Sequence, residues 1–110
     1  MEAMPKWVRV AATTDCPHGE SRELVAEGRI VALYNVEGDY FALDGVCPHQ
    51  GGPLGKGVLT GCLVTCPWHG WQFDVATGQH QASQSVVHTS FPVRVDGVDV
   101  LVDIEPDVGA

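Results

Sequence analysis

"CPHQGGPLG", residues 47–55, and "CPWHGWQFD", residues 66–74, each place one cysteine and one histidine on a stretch crowded with proline and glycine. Cys47 and His49 stand one residue apart, Cys66 and His69 two apart, and sixteen residues separate the pairs. If the two stretches lie side by side, two thiolates and two imidazoles converge. Such a set suits one tetrahedral Zn²⁺, or a two-iron, two-sulfide cluster with both thiolates on one iron and both imidazoles on the other. Spacing alone leaves both open. The neighbouring residues favour the cluster: Gly51, Gly52 and Gly70 let backbone N–H groups approach closely, and Pro48 and Pro67 stiffen each loop directly after its cysteine.

Outside these stretches the chain alternates short β-branched or aromatic runs with Gly, Asp and Pro, and no segment carries a sustained 3.6-residue apolar period. The expectation is an all-β fold with strands at 7–10, 22–26, 29–35, 40–44, 62–66, 71–74, 91–95 and 98–104. Hairpin turns are expected at Glu27-Gly28, Gly38-Asp39 and Asp96-Gly97. One domain over 1–110 is expected, with 45–78 forming the ligand-bearing subdomain. At 110 residues and 45% hydrophobic content, the chain can bury a core without disulfides.

Fourteen acidic and six basic residues give a net charge of −8, which argues against nucleic acid and anionic membrane surfaces as partners. "MEAMPKWVRV" at the start lacks an apolar run followed by a small-residue cleavage site, and no stretch is apolar enough to span a bilayer. A cytoplasmic, soluble protein is the expectation. In that compartment four cysteines point to metal rather than to disulfides.

CPHQGGPL together with CPWHGWQFDVATG resembles the paired CxH and CxxH motifs of Rieske iron–sulfur proteins. The resemblance implies one [2Fe-2S] cluster per chain, with Cys47 and Cys66 on the inner iron and His49 and His69 on the outer one. It also implies antiparallel sheets forming a sandwich-like base beneath two cluster-binding loops. Rieske proteins of quinol-oxidising complexes carry an extra cysteine on each loop; here Gly52 and Trp68 stand there, so the bridge cannot form. Those proteins also have a serine and a tyrosine where this chain has Trp71 and Phe73. Without these hydroxyl donors the reduced cluster is less stabilised, and a potential near the low end of the Rieske range, about −150 mV, is expected.

Rieske oxygenases add a large catalytic domain for which 110 residues leave no room, and no nicotinamide fingerprint is present. The resemblance therefore implies a non-enzymatic, monomeric ferredoxin that carries one electron from a ferredoxin reductase to a terminal oxygenase, as in aromatic-ring dioxygenase systems. The alternative is the small Rieske-like subunit of an assimilatory NAD(P)H nitrite reductase, whose corresponding segment CPWHGWQFDVATG also resembles.

Five further cysteine and histidine residues stand outside the paired motifs. "CPHGE" at 16–20 repeats the CPH pattern without a CxxH partner, so Cys16 and His18 are expected in a surface turn. Cys62 lies in an apolar run and is expected to pack as a small hydrophobe. His80 and His88 are expected to be solvated. The segment "GQHQASQSVVHTS" lacks the proline that stiffens the third loop of related ferredoxins, which predicts a more mobile cover over the cluster. Trp68 and Trp71 are expected to pack the loops or to rim a docking face.

Overall fold

The computed structural model describes residues 6–48, 51–68 and 70–104. These form ten antiparallel strands in three sheets, with two single-turn 3₁₀ segments and no α-helix among the described residues. The first sheet joins β1 (Trp7–Ala12), β10 (Asp99–Asp103) and β9 (Val93–Asp96), in that order. The second has the order β2 (Ser21–Ala26), β3 (Arg29–Val36), β4 (Asp39–Asp44) and β8 (Ser90–Phe91). The third comprises β5 (Val58–Thr60), β6 (Leu63–Thr65) and β7 (Gln72–Asp74) and falls wholly between the two cysteine loops and their return.

Turn chemistry sets the register of the hairpins. β2 and β3 meet through Glu27 and Gly28, at φ 48° and 85°, and two positive φ values make the I′ turn that matches strand twist. The β3–β4 link is the same device one residue earlier than expected, at Glu37 and Gly38 (φ 53° and 92°), because Val36 pairs with Asp39. The last hairpin also shifts by one residue: Asp96 pairs with Asp99, and Gly97 with Val98 makes the turn.

"FPVRV" is not one strand. Pro92 has no N–H for the ladder, and the chain changes sheets there, β8 pairing with β4 and β9 with β10. The three-residue β5 went unexpected because Gly57 and Gly61 flank it and leave no readable alternation.

Two apolar cores result, and β3 separates them. Its alternate residues Val31 and Leu33 enter a core with Ala11, Phe91, Val100 and Val102, between the first two sheets. Ala32 and Tyr34 point to the other face, into a core with Leu54, Val64, Phe73, Cys47 and Cys66. A strand buried on both faces reads as a continuous apolar run, and "IVALY" is such a run.

Candidate iron–sulfur centre

The first cysteine loop leaves β4 at a corner made by Asp44, whose carboxylate accepts the Val46 N–H at 2.9 Å. Gly45 N–H donates to Ile30 O and Leu54 N–H to Gly45 O, at 2.9 and 3.0 Å. Beyond the corner the loop closes on itself: Cys47 N–H donates to Gly52 O at 2.8 Å, and Gly51 N–H to Cys47 O at 2.9 Å. The second loop joins β6 to β7 and closes in the same way, Cys66 N–H donating to Trp71 O at 2.7 Å. Each cysteine thus sits at the mouth of a short hairpin with its backbone N–H already bonded. Gly51 (φ 75°) and Gly70 (φ 72°) supply the left-handed turns these hairpins need.

The structure brings Cys47 and Cys66 together. Both are buried, both belong to one apolar core, and neither is in a disulfide. The loops cross at Gly52, where an added Cβ would lie 2.6 Å from Cys66 Sγ and 3.0 Å from Trp68 Cβ. Gly52 and Trp68 therefore do face one another, and neither residue can form a disulfide bridge there. Tyr34 lies behind the thiols and donates its hydroxyl to Leu54 O at 3.0 Å. Burial raises its ionisation far above the ordinary phenol range, and negative charge on Cys66 and then Cys47 adds to this.

His49 and His69 lie outside the described residues. Two thiols are half of a donor set, and among the described residues no third His, Cys, Asp or Glu completes it. What is present fits an iron–sulfur group: two buried cysteines outside any disulfide, a loop crossing only a glycine can make, and an apolar wall of Phe73, Val64 and Leu54. Trp71 is half-buried against that wall, whereas Trp68 is 50% exposed.

Several expectations are corrected. Cys16 is not on the surface: it is fully buried in the base core, its thiol 3.4 Å from Glu20 O and 3.9 Å from Leu33 O. Burial raises its pKa above the ordinary thiol value. Only the rest of that motif forms a turn, Glu20 N–H reaching Pro17 O at 3.1 Å, and His18 Nδ1 accepts the Glu37 N–H at 2.8 Å. The third CPH copy thus fastens the β3–β4 turn and stands apart from the other cysteines. Cys62 does not pack; it is exposed in the β5–β6 turn beside Gly61.

His80 and His88 are not solvated. Both are buried, with rings 5.2 and 5.6 Å from Phe73, and His88 Nε2 donates to Asp44 O at 2.8 Å. No signal in the neighbouring sequence marks His80, because its burial comes from Phe73 on β7. The proline-free third segment is well tied: His80 N–H reaches Val86 O at 3.0 Å, His88 N–H reaches Gly78 O at 2.7 Å, and Gln81 N–H reaches Gln72 O at 3.0 Å.

A family model for the Rieske [2Fe-2S] domain matches residues 6–97. The chain belongs to the Rieske [2Fe-2S] family. Among curated relatives, the ferredoxin component of the naphthalene 1,2-dioxygenase system of Pseudomonas aeruginosa is 33% identical over 90% of this chain and 96% of its own length. The ferredoxin component of the alkene monooxygenase system of Xanthobacter autotrophicus is 40% identical over 92% of this chain and 84% of its own length. Among solved structures, a chain in the complex of reduced oxygenase and oxidised ferredoxin in carbazole 1,9a-dioxygenase superposes with a TM-score of 0.84 at 31% identity, over 93% of this chain and 96% of that one. A nitrite reductase NADPH small subunit superposes at 0.76 with 19% identity, over 88% of this chain and 97% of that one, which shows a shared fold. This Rieske protein is accordingly a ferredoxin of the oxygenase-system kind, an electron carrier with a [2Fe-2S] cluster. No helix among the described residues is long and apolar enough to cross a membrane.

Proposed function

We propose that the protein carries one electron at a time from a ferredoxin reductase to a terminal oxygenase, with Cys47 and Cys66 holding one iron of the cluster and His49 and His69 the other. The observation that carries the reading is the burial of two cysteines, neither in a disulfide, in one apolar core where the two loops cross at Gly52. When bound, the cluster supplies a one-electron couple whose potential depends on its ligands, nearby donors and burial. The chain's own residues set that environment. Leu54, Val64 and Phe73 exclude water, and Trp71 and Phe73 offer no hydroxyl where a donor would stabilise added negative charge, which supports a potential near −150 mV in order of magnitude.

Docking to the oxygenase is assigned to the face of the two cysteine loops, where Val46 and Trp68 are 42% and 50% exposed. Between residues 45 and 93 the sequence holds only Lys56 and Asp74 as charged side chains. A docking face of exposed aromatic and aliphatic groups suits a transient partner better than nucleic acid, which needs a basic surface. The protein acts as a cytoplasmic monomer, a single domain with 45–78 as its cluster-binding part.

Low-temperature electron paramagnetic resonance of the dithionite-reduced protein, with iron and zinc measured on the same sample, tests the ligand set. A signal with average g clearly below that of all-cysteine ferredoxins is expected, altered or abolished in His69→Cys. A colourless protein with one zinc per chain would overturn the reading. Co-purification with a sirohaem-containing subunit would reassign the partner to a nitrite reductase.

A further inference from the structure

The proline-free segment after β7 is held by side chains as well as backbone. The Gln79 amide donates toward His80 O, Ser83 O and Val86 O at 3.2, 3.0 and 3.3 Å. Ala82 N–H donates to His80 Nδ1 at 3.0 Å. Because Nδ1 accepts, the proton of the neutral ring sits on Nε2. That Nε2 is buried and has no hydrogen-bond partner among the described residues. A buried donor left unmade is costly, and buried polar groups ordinarily find partners.

What surrounds the ring suggests where the donor goes. His80 meets Trp71 at 4.3 Å between ring centroids and 69° between planes, and Phe73 at 5.2 Å and 76°. Both are edge-to-face arrangements, a geometry in which an N–H dipole is attracted to the negative face of an aromatic ring when it is aimed there. Trp71 in turn accepts Cys66 N–H through its carbonyl, and Val86, from the same segment as His80, packs on the core that contains both cysteines.

We propose that His80 is a positioning residue of the cluster site: fixed as its Nε2–H tautomer by Ala82, it donates to the face of Trp71 and latches segment 80–86 onto the second cysteine loop. Here the imidazole replaces, by a side-chain contact, the stiffness that a proline would give this segment. The consequence is a closed cover over the thiols, which limits water and keeps the reduced cluster poorly stabilised. The inference rests on the [2Fe-2S] cofactor and is independent of which reductase or oxygenase the protein serves.

Three variants of the cluster-loaded protein test it: His80→Ala, which removes the ring; His80→Phe, which keeps an aromatic ring without nitrogen; and His80→Gln, whose amide both accepts and donates. The readouts are the rate of iron loss to a chelator, the cluster potential, and hydrogen exchange of residues 79–88. His80→Ala is expected to lose iron about fivefold faster, the factor given by one ordinary hydrogen bond, with a raised potential and faster exchange. His80→Gln should restore all three readouts most of the way, and His80→Phe less. If His80→Ala fails to fold, the contrast between His80→Phe and His80→Gln decides. Equal behaviour of these two, or wild-type behaviour of His80→Ala, would overturn the latch. None of these readouts involves an oxygenase, so a failure of the electron-transfer assignment would be seen separately, in partner reduction.

Discussion

Gly52→Ala probes the crossing of the two cysteine loops directly. The new Cβ would stand 2.6 Å from Cys66 Sγ and 3.0 Å from Cβ and Cγ of Trp68, whereas ordinary contact begins at 3.4 Å. One loop must therefore retreat from the other by about 0.8 Å in an interior that is already close-packed. Overpacking of this kind costs about 1–3 kcal/mol, which lowers Tm by roughly 5–15 °C in a chain of this size. The ligand geometry suffers more, because metal–ligand distances tolerate only about 0.2 Å and Cys66 is the atom displaced. Iron and acid-labile sulfide per chain, with visible circular dichroism and Tm, measure both effects. Gly61→Ala is the control: its Cβ meets nothing within 4 Å and the turn has φ 60°, so only backbone strain of about 1–2 kcal/mol is added. The expected result is partial or absent cluster in Gly52→Ala and full cluster in Gly61→Ala. Full iron and sulfide in Gly52→Ala, with no greater loss of Tm than the control, would refute the crossing geometry.

Cys16→Ser is expected to leave the cluster spectrum intact, since Cys16 belongs to the base core, while lowering stability by about 1–2 kcal/mol through burial of a hydroxyl; denaturant midpoints and the visible spectrum check this together. The raised pKa of buried Cys16 means that the folded state favours the neutral thiol. Its contribution is therefore present in full below the ordinary thiol value and lost as pH rises above it. Urea midpoints should fall from about pH 8.5 upward, less steeply in Cys16→Ala. Cys62, the exposed free cysteine, should be the first site alkylated by iodoacetamide in the loaded protein, as read by peptide mass mapping; earlier labelling of Cys16 would contradict the burial of that residue.

The fold was legible wherever one face of a strand is buried and a glycine closes the hairpin, as at Glu27-Gly28. It was less legible where sheets exchange. "FPVRV" reads as one strand because each residue suits a strand, and only the missing N–H of Pro92 reveals the break. That Cys47 and Cys66 come together could be read from CPH and CPWH, since few patterns pair a cysteine and histidine twice on glycine-rich loops, and the structure buries both in one core. The other polar residues were misread for one physical reason. Cys16, His80 and His88 sit in short irregular stretches, where neighbours in sequence are exposed and the burial comes from strands far away: Leu33 over Cys16, Phe73 over His80 and His88. A local pattern carries no record of such contacts. Cys62 failed in the opposite sense, because the apolar run "CLVTC" begins one residue before its strand, in a turn.

The two-sided burial of β3 and β4 links the cluster site to the rest of the protein. Val31, Leu33 and Ala42 face the base core, while Ala32, Tyr34 and Leu43 face the core that holds Cys47 and Cys66. The wall behind the thiols is therefore the back of the central hairpin of the base. Tyr34 extends that wall by bonding Leu54 O on the first loop, and Asp44, the last residue of β4, holds both Val46 N–H and, through its carbonyl, His88 Nε2. One strand end thus fixes the start of the first cysteine loop and the end of the third segment. Such a scaffold keeps its donors and its apolar walls in place whatever the charge of the cofactor, and small reorganisation on gaining an electron is what an electron carrier requires. Charge follows the same division, with thirteen of the fourteen acidic residues outside 45–93. Segment 45–93 is therefore almost free of charged side chains, which suits the docking by shape and apolar contact proposed for its loops.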